Sequence, residues 1–175
     1  CSSDLAMGLS DSVTTLLNPT AATPAPPLNE YNTATITDPT VPAGSTWINQ
    51  PTGDGTINSL RRNSFKKWLT GVMIQQDISI REKLTLFWAN HFGTEADTIS
   101  NANMLYQHHD TLRKNAIGNF KTMVKAITID PGMLRYLNGY LNTASAPDEN
   151  YGRELQELFT VGKDNAIQYT ESDVK

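Results

Sequence analysis

The sequence predicts a mainly α-helical fold, a bundle or array of helices fronted by a long irregular Pro-rich N-terminal arm. Three observations carry this. From Asn58 onward, apolar residues recur with a period of about 3.6. No stretch sustains the apolar–polar alternation of a half-buried strand. Between residues 18 and 57, Pro19, Pro24, Pro26, Pro27, Pro39, Pro42 and Pro51 interrupt any regular element, with Thr, Asn and Gly filling the gaps. The expected division is 1–57, a short helix plus the arm, and 58–175, a helical domain truncated at its C-terminal end.

Residues 4–17 read as a short amphipathic helix, because Leu5, Leu9, Val13, Leu16 and Leu17 recur at spacings of three and four. Asn18-Pro19 ends it. The arm carries Tyr31, Trp47 and Ile48 as apolar anchors, which favours an arm laid over the helices rather than a free linker. PTGDGTIN, residues 51–58, has the look of a calcium loop. Its single carboxylate, Asp54, with Asn58, is too few oxygen ligands, so a Gly-rich turn before a helix is the better reading. The first helix of the array is expected near 59–76, with Phe65, Trp68, Leu69, Val72 and Met73 on one stripe. The second opens on Ser79-Ile80-Arg81-Glu82, a capping box, and Ile80, Leu84, Phe87, Trp88, His91 and Phe92 share its buried face. The third, near 98–117, sets Leu105, His108, His109, Leu112 and Ala116 on one side, and Gly118 ends it. Asn119 caps the fourth, with Phe120, Met123, Val124 and Ile127 inward. Asp130-Pro131 starts a fifth, since Asp accepts from the free amides and Pro suits the first helical position. The last, PDENYGRELQELFTVG, is capped by Ser145 or Asp148 and closed by Gly162. Thr170 and Asp173 then have capping-box spacing. A helix start at the last residues, and the lack of an initiator Met, suggest that both ends are cuts.

Composition bounds the function. The net charge is -4 and the isoelectric point near 5.3. Phosphate backbones need clustered Lys and Arg, so a nucleic-acid partner is not expected. Arg61, Arg62, Lys66 and Lys67 form the one basic cluster and read as a solvated helix face. No run of about 18 apolar residues marks a membrane span, and no signal peptide is visible. Cys1 is the single cysteine, which excludes an internal disulfide and a Cys-based zinc site. A cysteine at position 1 fits either a lipid-bearing lipoprotein start or the arbitrary start of a fragment.

The last long helix holds the densest polar chemistry. On a wheel of about 100° per residue, Tyr151, Leu155, Leu158 and Phe159 cover one arc. Asn150, Glu154 and Glu157 line its edge a turn apart, and Arg153 points away. Asp148 and Glu149 suit the first-turn dipole. A half-buried carboxylate must be paired or protonated. Two readings stay open: a structural ion-pair seam, or a functional cluster. His91, flanked by Trp88 and Phe92, is by default a core histidine. His108 and His109 are adjacent and point about 100° apart, so they do not readily share a metal. Zinc-protease His-Glu-x-x-His, Gly-x-Ser-x-Gly and Gly-rich phosphate motifs are all absent.

Three blocks together resemble a known family: IREKLTLFWANHF (80–92), LRKNAIGNFKTMVKAITIDPGMLRYLNGYLN (112–142), and APDENYGRELQELFTVG (146–162) followed by YTESDVK. They are similar to the bacterial domain-of-unknown-function 1800 family, over roughly residues 58–175 and more loosely over PPLNEY and VPAGSTWIN in the arm. The family pattern carries Trp-His-Asn-His-Phe where this chain reads Trp88-Ala89-Asn90-His91-Phe92, so the resemblance retains His91 and loses the first histidine to Ala89. It also implies helices beyond both ends of the chain, and, because members often carry export signals, an envelope or secreted location. It implies no established activity and names no cofactor or partner. Two functions are therefore expected to compete. One is an envelope-associated scaffold or binding module. The other is a hydrolase-like or metal-dependent enzyme in which His91, Glu154 and Glu157 are catalytic and Asn90, Asn150 and Arg153 bind substrate.

Overall fold

The computed structural model of the chain describes residues 8–18, 20, 22–76, 78–147, 149–163 and 169–174. Cys1, Leu5, Pro19 and the Asp148 cap lie outside them. The order is α1 (Leu9–Leu17), α2 (Gly55–Gln75), α3 (Arg81–His91), α4 (Ala96–Ile99), α5 (Ala102–Asn115), α6 (Phe120–Thr128), α7 (Pro131–Tyr136), a 3₁₀ turn (Gly139–Leu141), α8 (Glu149–Phe159) and α9 (Glu171–Val174). Among the described residues there are no strands, only isolated antiparallel bridges at Leu28–Thr46 and Thr143–Ala146. The fold is mainly α.

Local chemistry sets most boundaries. Asp54 accepts from the amides of Thr56 (2.8 Å) and Ile57 (3.0 Å), so PTGDGTIN is the turn that caps α2, which starts at Gly55, about four residues before the expected start near 59. Asn119 caps α6 through the Thr122 amide, and Asp130 caps α7 through the Met133 amide with Pro131 at its first turn. The helix expected over 98–117 is two: Ser100 is left-handed (φ 55°), and Asn101 caps α5 by accepting from Asn103 and Met104. The reciprocal capping box expected at Ser79 and Glu82 does not form. Ser79 Oγ accepts from the Arg81 amide, but Glu82 is turned inward to an arginine of α5. Gly162 (φ +86°) ends α8, with its amide and that of Val161 on the Gln156 carbonyl.

Two hydrophobic clusters result. α5 is central and packs against α2, α3, α6 and α7. The larger cluster joins Phe92, Leu112, Met123, Ile127, Met133 and Leu137 to Tyr151, Leu155 and Phe159 of α8. Leu158, expected on that arc, is instead 52% exposed. α3 also departs from its apolar pattern: Phe87 is 55% exposed, while its buried residues are the polar Glu82 and Thr85. The apolar stripe of α1 is likewise uncovered, with Leu9 83% exposed.

The arm builds the smaller cluster. Trp47 and Val41 pack with Ala102, beside Tyr31, Ile48, Phe65 and Tyr106. Trp47 is fully buried, and Nε1 donates to Ser64 Oγ at 3.3 Å. Asn103 of α5 donates to the carbonyls of Trp47 (2.9 Å) and Ile48 (2.8 Å). Asp38 meets Arg61 of α2 in a fully buried salt bridge at 2.6 Å. Arg61, expected on a solvated face, is therefore a pin for the arm. The helix face that the sequence pattern leaves wet is covered by chain from some 20 residues upstream, which brings a carboxylate with it. Arg62 is half-buried, and Lys66 and Lys67 are exposed as expected.

Candidate functional site

The polar seam of α8 faces α9. Gly152 permits the approach, since a Cβ there would meet the Val174 carbonyl oxygen at 2.9 Å. Arg153, expected to point away from the apolar arc, donates to both carboxylate oxygens of Glu171 at 3.1 and 3.0 Å. Glu157 accepts from the Tyr169 hydroxyl and pairs with Lys163 at 2.9 Å. The Tyr169 hydrogen bond and the Lys163 ammonium hold the Glu157 carboxyl below its ordinary range. Thr170 and Asp173 form one half of the expected capping box, with the Thr170 amide and hydroxyl both donating to Asp173 Oδ2 at 2.7 Å. Glu154 is half-buried and acts on Lys163 through its charge. Asn150 also has a partner, and Asn90 is exposed.

His91 is drawn elsewhere. It is not a core histidine, because part of its surface is exposed. Its Nε2 lies 2.7 Å from the Phe159 carbonyl and donates to it. That carbonyl belongs to the last turn of α8, where the helix leaves acceptors unmatched. Its ring stands edge-on to Trp88, Phe92, Phe120 and Phe159. The structure thus brings Arg153 and Glu157 into one network with α9 and ties His91 to the end of the same helix. The three clefts described below are not lined by any of the six candidate residues.

A second polar constellation, missed by the sequence analysis, surrounds α5. Arg113 Nε is 2.6 Å from Glu82 Oε1 of α3, and both side chains are almost wholly buried. His108 Nδ1 donates to Asp130 Oδ1 at 2.8 Å. His109 is buried against Phe65 and Trp68, and neither of its ring nitrogens has a partner. Glu82 Oε2 is likewise buried and unpartnered. One signal was available: His109 and Arg113 are four apart and so share a face of α5. Among the described residues, no group of three or more His, Cys, Asp or Glu is placed to hold a metal ion.

The model of the DUF1800 family, proteins of unknown function, matches residues 2–175. The chain belongs to this family. No curated protein and no solved structure matches it.

Among the described residues of this DUF1800 chain, the best-formed clefts adjoin the helices. One, of about 880 Å³, lies between the arm at Leu28 and Tyr31 and the Lys67 side of α2. Another, of about 360 Å³, lies among Ile99, Met104, Leu134 and Tyr140. The third, of about 500 Å³, is bounded by Pro24 and Ala25 of the arm, Trp68, Gly71 and Val72 of α2, and Arg81, Glu82 and Arg113. Of these three, among the described residues, the third alone reaches charged side chains that are themselves buried, Glu82 and Arg113. Among the described residues, no helix of the DUF1800 chain is long and apolar enough to cross a membrane.

His109 gives this constellation a pH dependence. Burial, with the neighbouring His108 and Arg113, pushes its imidazole down to about 4. The unfolded chain binds that proton near pH 6.5. Between those values the unfolded state therefore holds more protons, and stability falls as pH drops from about 6.5 toward 4. Thermal melts across that window should show this slope, and His109→Leu should flatten it. An unchanged slope in the variant would assign the effect to other groups.

Proposed function

We propose that this chain is part of an exported bacterial scaffold or binding module acting at the cell envelope. The observation that carries this reading is the occupation of the seam. Arg153 is matched by Glu171, and Glu157 by Tyr169 and Lys163, so these charges join α8 to the segment containing α9. Groups held in this way orient helices. A general base or metal ligand needs instead an open approach for substrate. The envelope location rests on the export that kinship within the family implies.

The test uses the intact gene product. Cell fractionation should recover it in the envelope or the medium. Purified protein should carry no stoichiometric metal. Glu157→Gln and Arg153→Gln should lower the melting temperature by loosening α8 from α9. A cytoplasmic protein would refute the envelope location. Stoichiometric metal lost on Glu154→Gln or Glu157→Gln would establish the metal-dependent enzyme instead.

A further inference from the structure

We propose that the cleft between the arm, α2 and α3 binds a carboxylate-bearing sugar, a hexuronate or a glycan ending in one. This rests on the binding-module reading and supplies its ligand. The cleft, about 500 Å³, has the size of a small-ligand site. What distinguishes it is unsatisfied charge at its wall. Arg113 and Glu82 both line it, and they are joined by a single hydrogen bond, Nε to Oε1 at 2.6 Å. Glu82 is 3% exposed, yet Oε2 has no partner. Among the described residues, the two Nη groups of Arg113 donate no hydrogen bond, although its side chain is 10% exposed. A buried carboxylate oxygen without a donor is costly. The oxygen has less than 1 Å² of accessible surface, so a donor arriving with a ligand removes that cost once the Glu82 carboxylate turns toward the cleft.

The chemistry of the walls selects the ligand class. The free Nη edge of a guanidinium is a planar fork suited to a carboxylate. Arg81 and Arg113 against Glu82 leave the lining one positive charge in excess, which favours a singly charged anion over a neutral molecule. Glu82 Oε2 needs a donor beside that anion. A hydroxyl supplies one without adding a cation next to two arginines. A phosphate monoester carries close to two negative charges at neutral pH, more than the single positive charge in excess on the lining, and its second charge is set against Glu82. Trp68 donates Nε1 to the Ala25 carbonyl at 2.7 Å, so the cleft meets only its apolar ring. The C–H face of a pyranose is the complement of such a surface. Carboxylate, hydroxyl and apolar face occur together in a hexuronate.

The test is calorimetric titration of the intact protein with galacturonate and, separately, galactose at one fixed ionic strength. Galacturonate should bind at least about tenfold more tightly, the difference expected for one bidentate charge-assisted contact. Arg113→Lys should remove most of that preference. Because Arg113 is buried, a second variant protects the test from misfolding. Gly71 lines the cleft, and a Cβ there meets nothing within 4 Å. Gly71→Phe should fill the cleft, leave the melting temperature unchanged or raised, and abolish galacturonate binding. Equal affinity for the two sugars, galacturonate binding undiminished in Gly71→Phe, or no binding of either sugar would overturn the proposal. None of these results changes where the protein fractionates or whether it carries metal, so failure here is separable from failure of the scaffold reading.

Discussion

Asp38→Ala destabilises the protein by about 3–5 kcal/mol, because it leaves Arg61 as an uncompensated buried charge. Arg61 has no exposed side-chain surface, and Asp38 Oδ2 accepts from both its Nε (2.9 Å) and Nη2 (2.6 Å). Its other partners, Tyr31, Thr40 and the Gln50 carbonyl, are neutral and cannot replace the carboxylate. Urea unfolding of the single variant measures the loss. The double variant Asp38→Leu with Arg61→Met should recover most of it, since apolar side chains of similar volume often replace a buried pair at little cost. A single-variant loss below about 1 kcal/mol would mean that water reaches Arg61 and that the arm is not held by this pair. The same site has an acid limit. Desolvation pushes the Asp38 carboxyl up, but hydrogen bonds from Tyr31, the Thr40 amide and Arg61 outweigh it and hold it at about 2. A carboxyl depressed in the folded state stabilises above its unfolded value near 3.9. That stabilisation is lost as pH falls through about 2.

Trp47→Ala should cost a further about 3–5 kcal/mol, the usual penalty for truncating a buried aromatic. Trp47 is fully buried and edge-on to Tyr106 at 6.3 Å. Its backbone carbonyl is held by Asn103, so the segment cannot readily collapse into the space left behind. Equilibrium unfolding again provides the measurement, and a change under about 0.5 kcal/mol would make the arm a mere linker. Trp47 and Arg61 secure the same arm, so the losses in Asp38→Ala and Trp47→Ala should not simply add.

Legibility from sequence followed the range of the interaction. The caps at Asn119, Asp130 and Thr170 involve neighbours within three residues, and each was readable from residue type and spacing. The central helix α5 was readable because its inward face, Leu105, His108, His109 and Leu112, repeats with the helical period. The same rule held only in part on α3, where Trp88 and Phe92 join the core but Phe87 is exposed. Glu82 and Thr85 are buried as well, and Glu82 turns inward because Arg113, 31 residues away, neutralises the carboxylate. Arg61 was misassigned for the same reason, its partner Asp38 lying 23 residues away. In the candidate seam, the acids of α8 could be ranked by their closeness to the apolar arc. That Tyr169 and Lys163 would occupy Glu157, and Glu171 would occupy Arg153, could not, because these segments meet only in the folded chain.

By itself the sequence determined the helical class, the Pro-rich arm, the family, and the helix ends set by local hydrogen bonds. Periodicity and capping are properties of a few consecutive residues, so they are written in the chain directly. Only the tertiary structure decided which polar residues are buried. It fixed Arg61 to Asp38, Arg113 to Glu82 and His91 to the end of α8. The physical reason is that a charge may enter the interior only when a matching group arrives from elsewhere in the chain. No local pattern records that arrival, and of the pairs it brings together, Glu82 and Arg113 line a cleft in which one buried carboxylate oxygen is left without a partner.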